Sequence, residues 1–532
     1  MIDVRLAQPS DVTAIRDLFF ACYGSEYPHP EFYELEALTR LVYSDNQLLL
    51  VAEDTETHEI LGTASVILEI GALSDLVGEF GRLVVHPEAR HRGAGGKLMT
   101  ERLRRVRDRL HVGLVEARVA HPFSLRISEA HGFTPVGFLP LKMQLHRRES
   151  LCLLAQHFGD ARALRRNHPR VIPEVYALSQ LALEHSEMPF DAIVDEASPA
   201  YHAAEGLTLR EMTSEGYSTL LRIERGRVRH REIFGPLQLH YGLFKLRAQR
   251  SHYLLAVDHE RIVGAIGWNE DPIDRTIRIF EVIALDGPIA RFLLASLEQT
   301  SREQARVSLI EVDVSAHAPQ TQRTLLELGF LPAAYVPAMV FSEVERLDVV
   351  KMVRLFVAPD FPALELSARA RAVADLVLEP FARQHVLPQI ERAVRELPMF
   401  RDFNAEQVRR LASTCQVVRF EAGQAVLKEG HLDHALYILL SGRVEVRRAG
   451  MGRVGVIGAG ECLGELSLLT GAPHSASGVA TAASEAAALT HEDLMQLIRF
   501  RPDIGLTIYR NLAIGLGAKL ARASTNEPPL PL

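Results

Sequence analysis

The chain is poor in cysteine: its four thiols, Cys22, Cys152, Cys415 and Cys462, lie far apart with no Cys-x-x-Cys pair. That spacing excludes a disulfide framework and a cysteine-based zinc site, no metal site is expected, and isolated thiols suit a reducing compartment. Positive charge is not in excess. The 59 lysines and arginines face 67 acidic residues for a net charge of -8, which argues against a general nucleic-acid binder. No apolar run approaches the roughly 18 residues of a membrane span, so no membrane partner is expected. The opening, Met1-Ile2-Asp3-Val4-Arg5, reads as a strand and not as a secretory leader, and a cytoplasmic protein is expected. With 532 residues, 47% hydrophobic and 24% charged, a single core is improbable, and about two to four domains are expected.

The sharpest motif is Val84-Val85-His86-Pro87-Glu88-Ala89-Arg90-His91-Arg92-Gly93-Ala94-Gly95-Gly96-Lys97-Leu98. A β-rich run, Phe80 to Val85, enters it, and helix-forming sequence from Lys97 to Leu110 leaves it. Strand, glycine-rich turn and helix in that order bring free N–H groups and the positive end of a helix dipole to one point, where glycines let an anion approach the backbone. The pattern resembles the acyl-CoA pyrophosphate loop of the GNAT superfamily of N-acetyltransferases. The resemblance implies an acetyl-CoA site over Leu83, Val84, Val85, Arg90, Arg92, Gly93, Ala94, Gly95, Gly96 and Lys97, with Arg90 or Lys97 adding charge. The arginines that follow (Arg102, Arg104, Arg105, Arg107 and Arg109) read as a solvated helix face in preference to a 3′-phosphate clamp.

The chain also repeats itself. Leu48 to Asp54 followed by Ile60-Leu61-Gly62 matches Tyr253 to Asp258 followed by Ile262-Val263-Gly264, each a hairpin in pattern. Leu114 to Val119 matches Leu309 to Val314, and each precedes a polar helix ending in Gly-Phe, at Gly132-Phe133 and Gly329-Phe330. Val4 to Ala7 matches Leu207 to Arg210. Residues 1–146 and 207–345 therefore read as two copies of an α/β unit resembling the GNAT fold, a mostly antiparallel sheet splayed in the middle to admit CoA. The second copy has Glu281 to Ala290 in place of the loop, with one glycine and with Pro288 lacking an N–H, and reads as degenerate. Residues 147–206 are expected to be a connector, helical over Leu151 to Leu164 and Pro173 to Glu187. Residues 346–395 are expected to be a second helical connector around Ala368 to Asp375. Neither has the Gly/Ser bias of a flexible linker.

From residue 396 short strands alternate with regular glycines, as in Phe420 to Gly423, Lys428 to Gly430 and Leu436 to Gly442. The cassette Gly464-Glu465-Leu466-Ser467-Leu468-Leu469 and the run Pro473-His474-Ser475-Ala476 follow. Residues 396–523 resemble the cyclic-nucleotide-binding domain family, a β-roll. The resemblance implies that Gly464, Glu465, Leu466, His474 and Ser475 face a regulatory ligand, cyclic AMP or another cyclic nucleotide, with Gly464 at the cyclic phosphate and Glu465 on the ribose. The family's Pro-Arg-x-Ala arginine is His474 here, and neutral imidazole does not replace a bidentate guanidinium. The resemblance therefore leaves three readings open: weak nucleotide binding, another ligand, or a docking module. Residues 524–532 are proline-rich and expected to be disordered.

In the first unit the resemblance assigns Glu79, eleven residues before Arg90, as general base, with a pKa raised by partial burial at the splayed sheet. The tyrosine that many members carry four residues before the Gly-Phe, as thiolate acid, is Ser128 here, and the asparagine often found eleven before is His121. Either another group serves (Ser128, His121, or Tyr23, Tyr27 or Tyr33 from the first helices), or water does, or turnover is slow. The loop from Ala21 to Tyr33 is expected to border the acceptor pocket.

The expected whole is an α/β multidomain protein: two GNAT-like mixed-sheet units, helical connectors and a C-terminal β-roll. It is read as an acetyl-CoA-dependent N-acetyltransferase with an amine acceptor, a protein lysine or a small amine, regulated through its third domain. The same pairing, in the opposite order, occurs in a family of bacterial protein-lysine acetyltransferases controlled by cyclic AMP. The alternatives are a catalytically silent acyl-CoA sensor, and a GNAT enzyme for a small amine with a structural third domain. A homo-oligomer is left open.

Overall fold

Alternating or continuous apolar segments of five to eleven residues build the first half as strands around a few amphipathic helices. In chain order these are β1 (Ile2–Leu6), α1 (Val12–Tyr23), α2 (Leu35–Val42), β2 (Gln47–Asp54), β3 (Ile60–Ile67), β4 (Val77–Val85), α3 (Ala94–Val106), β5 (Val112–Arg118), α4 (Phe123–Ala130), β6 (Thr134–Gln144) and β7 (Arg148–His157). The computed structural model describes residues 1–525 except 213, 227–230, 240–250, 305, 360, 362, 363 and 433.

A short link, β8 (Arg170–Val171), α5 (Pro173–His185) and β9 (Ile193–Val194), leads to the second half. There follow β10 (Thr208–Glu211), α6 (Ser214–Arg225), β11 (Ile233–Phe234), β12 (His252–Asp258), β13 (Arg261–Asp271), β14 (Thr276–Ala284), α7 (Gly287–Glu303), β15 (Leu309–Ser315), α8 (Pro319–Glu327), β16 (Leu331–Ser342), β17 (Glu345–Leu355) and α9 (Ala368–Glu396). Apart from β11, and with one described helix, α6, where the first half has α1 and α2, the order of elements repeats that of the first half.

Both halves share one sheet, in the order β1-β2-β3-β4-β5-β7-β6-β16-β17-β15-β14-β13-β12-β10. The second half thus runs in mirror order from the seam between β6 and β16. Gly137 sits opposite Ala334 there. A Cβ on Gly137 would lie 2.1 Å from the Ala334 Cβ, so only glycine lets the two strands meet. The repeat in the sequence is offset by two residues at one point: pairing with the last strand of each half aligns Leu309 with Val112, not Leu114. An even offset keeps side chains on the same face.

Two expectations are corrected. Leu151 to Leu164 is not a helix, because residues up to His157 form β7, inserted between β5 and β6. Likewise residues 345–355 of the expected second connector form β17. In both, a continuous run (Leu151-Cys152-Leu153-Leu154-Ala155; Val349-Val350) is buried on both faces of the sheet, so periodicity does not separate strand from helix. α5 and α9 match the helices expected at Pro173 and Ala368.

The chain divides into two compact units, Met1–Glu379 and Pro380–Leu532. The division falls inside α9 at Pro380, whose ring cannot continue the helix hydrogen bonding. The second unit opens on the end of α9, continues with α10 (Ala405–Thr414) and packs two four-stranded sheets. One is formed by β18 (Gln416–Phe420), β25 (Ser484–Thr490), β20 (Ala435–Ser441) and β23 (Cys462–Leu463); the other by β19 (Ala425–Leu427), β24 (Ser477–Ala480), β21 (Arg443–Arg448) and β22 (Gly452–Gly458). α11 (Glu465–Thr470), α12 (His491–Phe500) and α13 (Pro502–Thr525) complete it. α13 takes in the first two positions of the expected tail; residues 526–532 lie outside the described residues. No helix among the described residues is long and apolar enough to cross a membrane.

Candidate active site and ligand pockets

The first half opens between β4 and β5. These strands pair in parallel only from Val77 to Glu79 and from Val112 to Leu114. Beyond Glu79 both continue, to Val85 and Arg118, without a ladder between them. On its other edge β4 bulges: Gly81 faces Ser65 and Val84 faces Thr63, so Arg82 and Leu83 oppose a single residue. Arg82 takes a left-handed φ of 52°. A bulge beside an opening in a sheet re-aims side chains and frees backbone groups.

α3 begins at the mouth of this opening. Gly93 caps it with φ 83°, a conformation that glycine adopts without strain, and no side chain caps the amides that follow. Ala94, Gly95 and Gly96 therefore carry the orphan N–H groups of the first turn. They line a cavity of about 940 Å³ with Leu83, Val84, Val85 and Arg90. Of the ten residues expected at the acetyl-CoA site, eight line it.

Arg92 and Lys97 do not. The Arg92 guanidinium is paired with Asp54 at 2.5 Å, and this contact holds the Asp54 carboxyl down to about 2. Lys97 Nζ donates to the Ile2 carbonyl of edge strand β1, 2.7 Å away. Both cations serve the outer edge of the sheet. The positive side chains on the cavity are Arg90, Arg118 and Arg126, of which the last two come from β5 and α4 and carried no sequence signal. Arg102 also departs from the solvated face expected of it. It is 1% exposed, on the same helix face as Leu98, Met99 and Val106, and donates to the Ser65 and Gly81 carbonyls at the bulge.

A second cavity, of about 660 Å³, lies on the other side of the same opening. Tyr23, Leu83, Val84, Arg118, His121 and Ser124 line both cavities and so mark their junction. Glu79 lines the second one, as do Tyr27, His29 and Glu31 of the loop after α1. Burial pushes the Glu79 carboxyl up, but Arg82, Lys142, His29 and Arg278 outweigh it, and the net shift is downward. The Arg82 guanidinium donates to Glu79 at 2.6 Å. The expected raised pKa is therefore corrected: a half-buried cation stands beside the carboxylate.

Ser128 is 0% exposed, its hydroxyl has no hydrogen-bond partner among the described residues, and it lines the second cavity only. Tyr23 stands at the junction. Burial, against the pull of Arg118, raises its phenol above the ordinary value and keeps it protonated. His121 is also there, its pKa lowered by burial and by Arg118, so its ring is neutral at pH 7.

In the second unit Gly464 caps α11 with φ 89°, and a Cβ there would lie 2.2 Å from the Ala435 carbonyl, so glycine is required. His474 is buried, with Cε1 3.4 Å from that Cβ position, which brings together two of the expected ligand residues. Glu465 is half-buried and Ser475 exposed. The Leu466 side chain lies outside the described residues. Among the described residues no cluster of His, Cys, Asp and Glu is placed to hold a metal ion.

A model described as the acetyltransferase (GNAT) family matches residues 12–133, and one described as the cyclic nucleotide-binding domain matches residues 417–499. The chain carries a GNAT acetyltransferase domain and a cyclic nucleotide-binding domain. It is 35% identical over 130 residues to a cyclic AMP receptor protein from Thermus thermophilus, a stretch that is 24% of this chain and 58% of that protein. It is 27% identical over 117 residues to a cAMP-dependent protein kinase regulatory subunit from Mycosarcoma maydis, 21% of this chain and 22% of that one. The chain thus spans less than two thirds of either relative. Among solved structures, a ribosomal-protein-S5-alanine acetyltransferase from Vibrio fischeri is 19% identical, covering 30% of this chain and 94% of its own, with a TM-score of 0.27.

The GNAT match ends in the first half, and the second half is closed where the GNAT domain is open. β11 pairs with β15, Ile233 opposite Val314 and Phe234 opposite Asp313, on the side facing β14. Arg231 ties it there through the Phe280 carbonyl and Glu281. The amides at the start of α7 are met by the chain's own groups: Asp286 accepts from the Ile289 N–H at 3.0 Å, and Tyr201 covers Gly287. A carboxylate at a helix N-terminus occupies the place an anion would take.

Proposed function

We propose that the chain is an acetyl-CoA-dependent N-acetyltransferase acting on an amine, with its reaction centre in the first half. The carrying observation is the opening between β4 and β5, with the free amides of Ala94 to Gly96 on one side and Glu79 on the other. The amides and Arg126 hold the pyrophosphate, and the thioester lies at Leu83 and Tyr23, where the cavities join. The amine nitrogen attacks the thioester carbonyl; an N–C bond forms and the C–S bond breaks. Glu79 takes the amine proton, directly or through a water, and the Tyr23 phenol protonates the departing thiolate. The backbone freed by the bulge at Leu83 polarises the carbonyl. The half-buried pair Glu79–Arg82 keeps the base ionised at neutral pH.

We infer further that the second unit binds a cyclic nucleotide, cyclic AMP first, and regulates acetyl transfer. Gly464 and buried His474 support a pocket. The histidine offers no permanent charge to a phosphate, so affinity is weak. A cytoplasmic setting suits the four free thiols.

The test is calorimetric titration of acetyl-CoA and of cyclic AMP into the full chain. Gly95→Val places a side chain where a Cβ already meets Ile127 at 2.8 Å; it is expected to weaken acetyl-CoA at least tenfold and leave cyclic AMP unchanged. His474→Arg is expected to do the reverse, tightening cyclic AMP about tenfold. Absence of acetyl-CoA binding by the unaltered chain would remove the enzyme reading.

A further inference from the structure

The wall of the 660 Å³ cavity is not made by the GNAT domain alone. The hairpin of β13 and β14 in the second half supplies Asn269, Asp274 and Arg278 to it, and β15 supplies Glu311. The register shows how. Val85 lies opposite Gly62 and Ala284 opposite Gly264. Counting back six residues from each reaches Glu79 in the first half and Arg278 in the second. The mirror order of the sheet turns these two positions, one acidic and one basic, toward a shared space, and the Arg278 charge acts on the Glu79 carboxyl.

Most ionised groups of this cavity already satisfy one another. Lys142 pairs with Glu116 at 2.7 Å and with Glu311 at 3.0 Å; Lys351 bridges Glu311 and Asp313; Asp274 accepts from the Gln144 N–H. Two neighbouring side chains are satisfied only in part. Asn269 and Arg278 are direct cross-strand partners on β13 and β14. Arg278 donates from Nη2 to Asp313 at 3.1 Å. Its Nε and the Asn269 Oδ1 are both buried without a hydrogen-bond partner among the described residues. One is a charged donor, the other an acceptor. Leaving such groups unmade is costly, and a pair of opposite hydrogen-bonding sense on a cavity wall asks for a ligand that carries both.

Resting on the acetyltransferase reading, we propose that the acceptor is a small dipolar amine, an amino acid or short peptide bearing a free carboxylate, enclosed between the two halves. Its carboxylate is taken by Arg278 Nε, its ammonium by Asn269 Oδ1 and Glu79. Glu79 then removes the proton that frees the nitrogen for attack. The second half, closed to CoA by β11 and Asp286, is the specificity wall of the first.

The experiment measures CoA release by the full chain with acetyl-CoA and four kinds of acceptor: free amino acids, dipeptides, their C-terminal amides, and lysine-rich unfolded protein. Acceptors with a free carboxylate are expected to be acetylated on their amine, and the amides to show a KM at least tenfold higher. Asn269→Ala and Arg278→Gln are expected to raise the acceptor KM tenfold or more, with Arg278→Lys recovering part, and to leave the KM for acetyl-CoA within twofold. Asp313 keeps Lys351 as partner in the Arg278 variants, and an unchanged KM for acetyl-CoA reports that they are folded. Turnover that prefers amides or protein, or an acceptor KM indifferent to both substitutions, overturns this proposal and leaves the acetyltransferase standing. Acetyl-CoA binding without release on any acceptor overturns both.

Discussion

A guanidinium with no carboxylate beside it is expensive to bury, and Arg102 is fully buried. Burial lowers its pKa to about 9, and among the described residues the Ser65 and Gly81 carbonyls, the Met99 sulfur and the Phe80 ring meet it. Its place is the bulge of β4, where Gly81 leaves the regular ladder. The residues proposed to react give a sharper prediction. Tyr23 lines both cavities, and Ser128 only one. Tyr23→Phe is expected to lower kcat about a hundredfold with little change in either KM. Ser128→Ala is expected to leave kcat within a few fold. Glu79→Gln is expected to lower kcat by a factor of about a hundred or more. Because Arg82 and its neighbours hold the Glu79 carboxyl below its ordinary value, its protonation limb in the pH profile lies below about pH 4.5. A fall in rate between pH 7 and 5 that vanishes in Glu79→Gln would contradict that assignment.

At the scale of elements, the seam between the halves is held by a buried polar cluster. Asp348 on β17 is 0% exposed and accepts from Arg165 at 2.7 Å, from the Tyr335 hydroxyl at 2.5 Å and from the Ala338 N–H at 2.8 Å. Arg165, in the segment after β7, keeps Asp191 as a second partner. Removing the shared acceptor strands a guanidinium and a phenol in the interior. Asp348→Ala is expected to cost about 3 kcal/mol. Trp268, the single tryptophan of the chain, lies on β13 of the same unit, so urea unfolding followed by its fluorescence reads this unit alone. A loss below about 1 kcal/mol would show that the cluster is dispensable.

For the molecule as a whole, two histidines make the stability of the first unit sensitive to acid. His157 donates from Nε2 to the Pro337 carbonyl across the seam, and burial lowers its pKa to about 4. His317, lowered to about 4 chiefly by burial and then by Arg166, behaves alike. Both are neutral in the fold, whereas the unfolded chain takes up protons near pH 6.5. Their contribution is complete above about pH 6.5 and is lost as pH falls from there toward 4. The melting temperature read from Trp268 is expected to drop across that window, and His157→Gln, which keeps a donor, to shallow the decline by about half. An unchanged slope in that variant would assign the acid sensitivity elsewhere.

Local chemistry made much of this legible from the sequence. A glycine-rich turn between strand and helix specifies its own backbone, so the uncapped helix start at Gly93 to Gly96 and the glycine cassette at Gly464 could be read from neighbours in the chain, as could the repeat of strands and turns. Tertiary structure decided what depends on partners far along the chain. Leu151 to Ala155 is a strand because β5 and β6 flank it, and a continuous apolar run carries no period of its own. Arg92 and Lys97 have the composition of phosphate ligands but are taken by Asp54 and the Ile2 carbonyl, both distant in sequence. The plug made by β11 follows from its pairing with β15, the lowered pKa of Glu79 from the cations packed about it, Arg82 first, and the meeting of Glu79 with Arg278 from the mirror order of one shared sheet. Register between strands two hundred residues apart is set by packing and pairing, which act only once the chain has closed on itself.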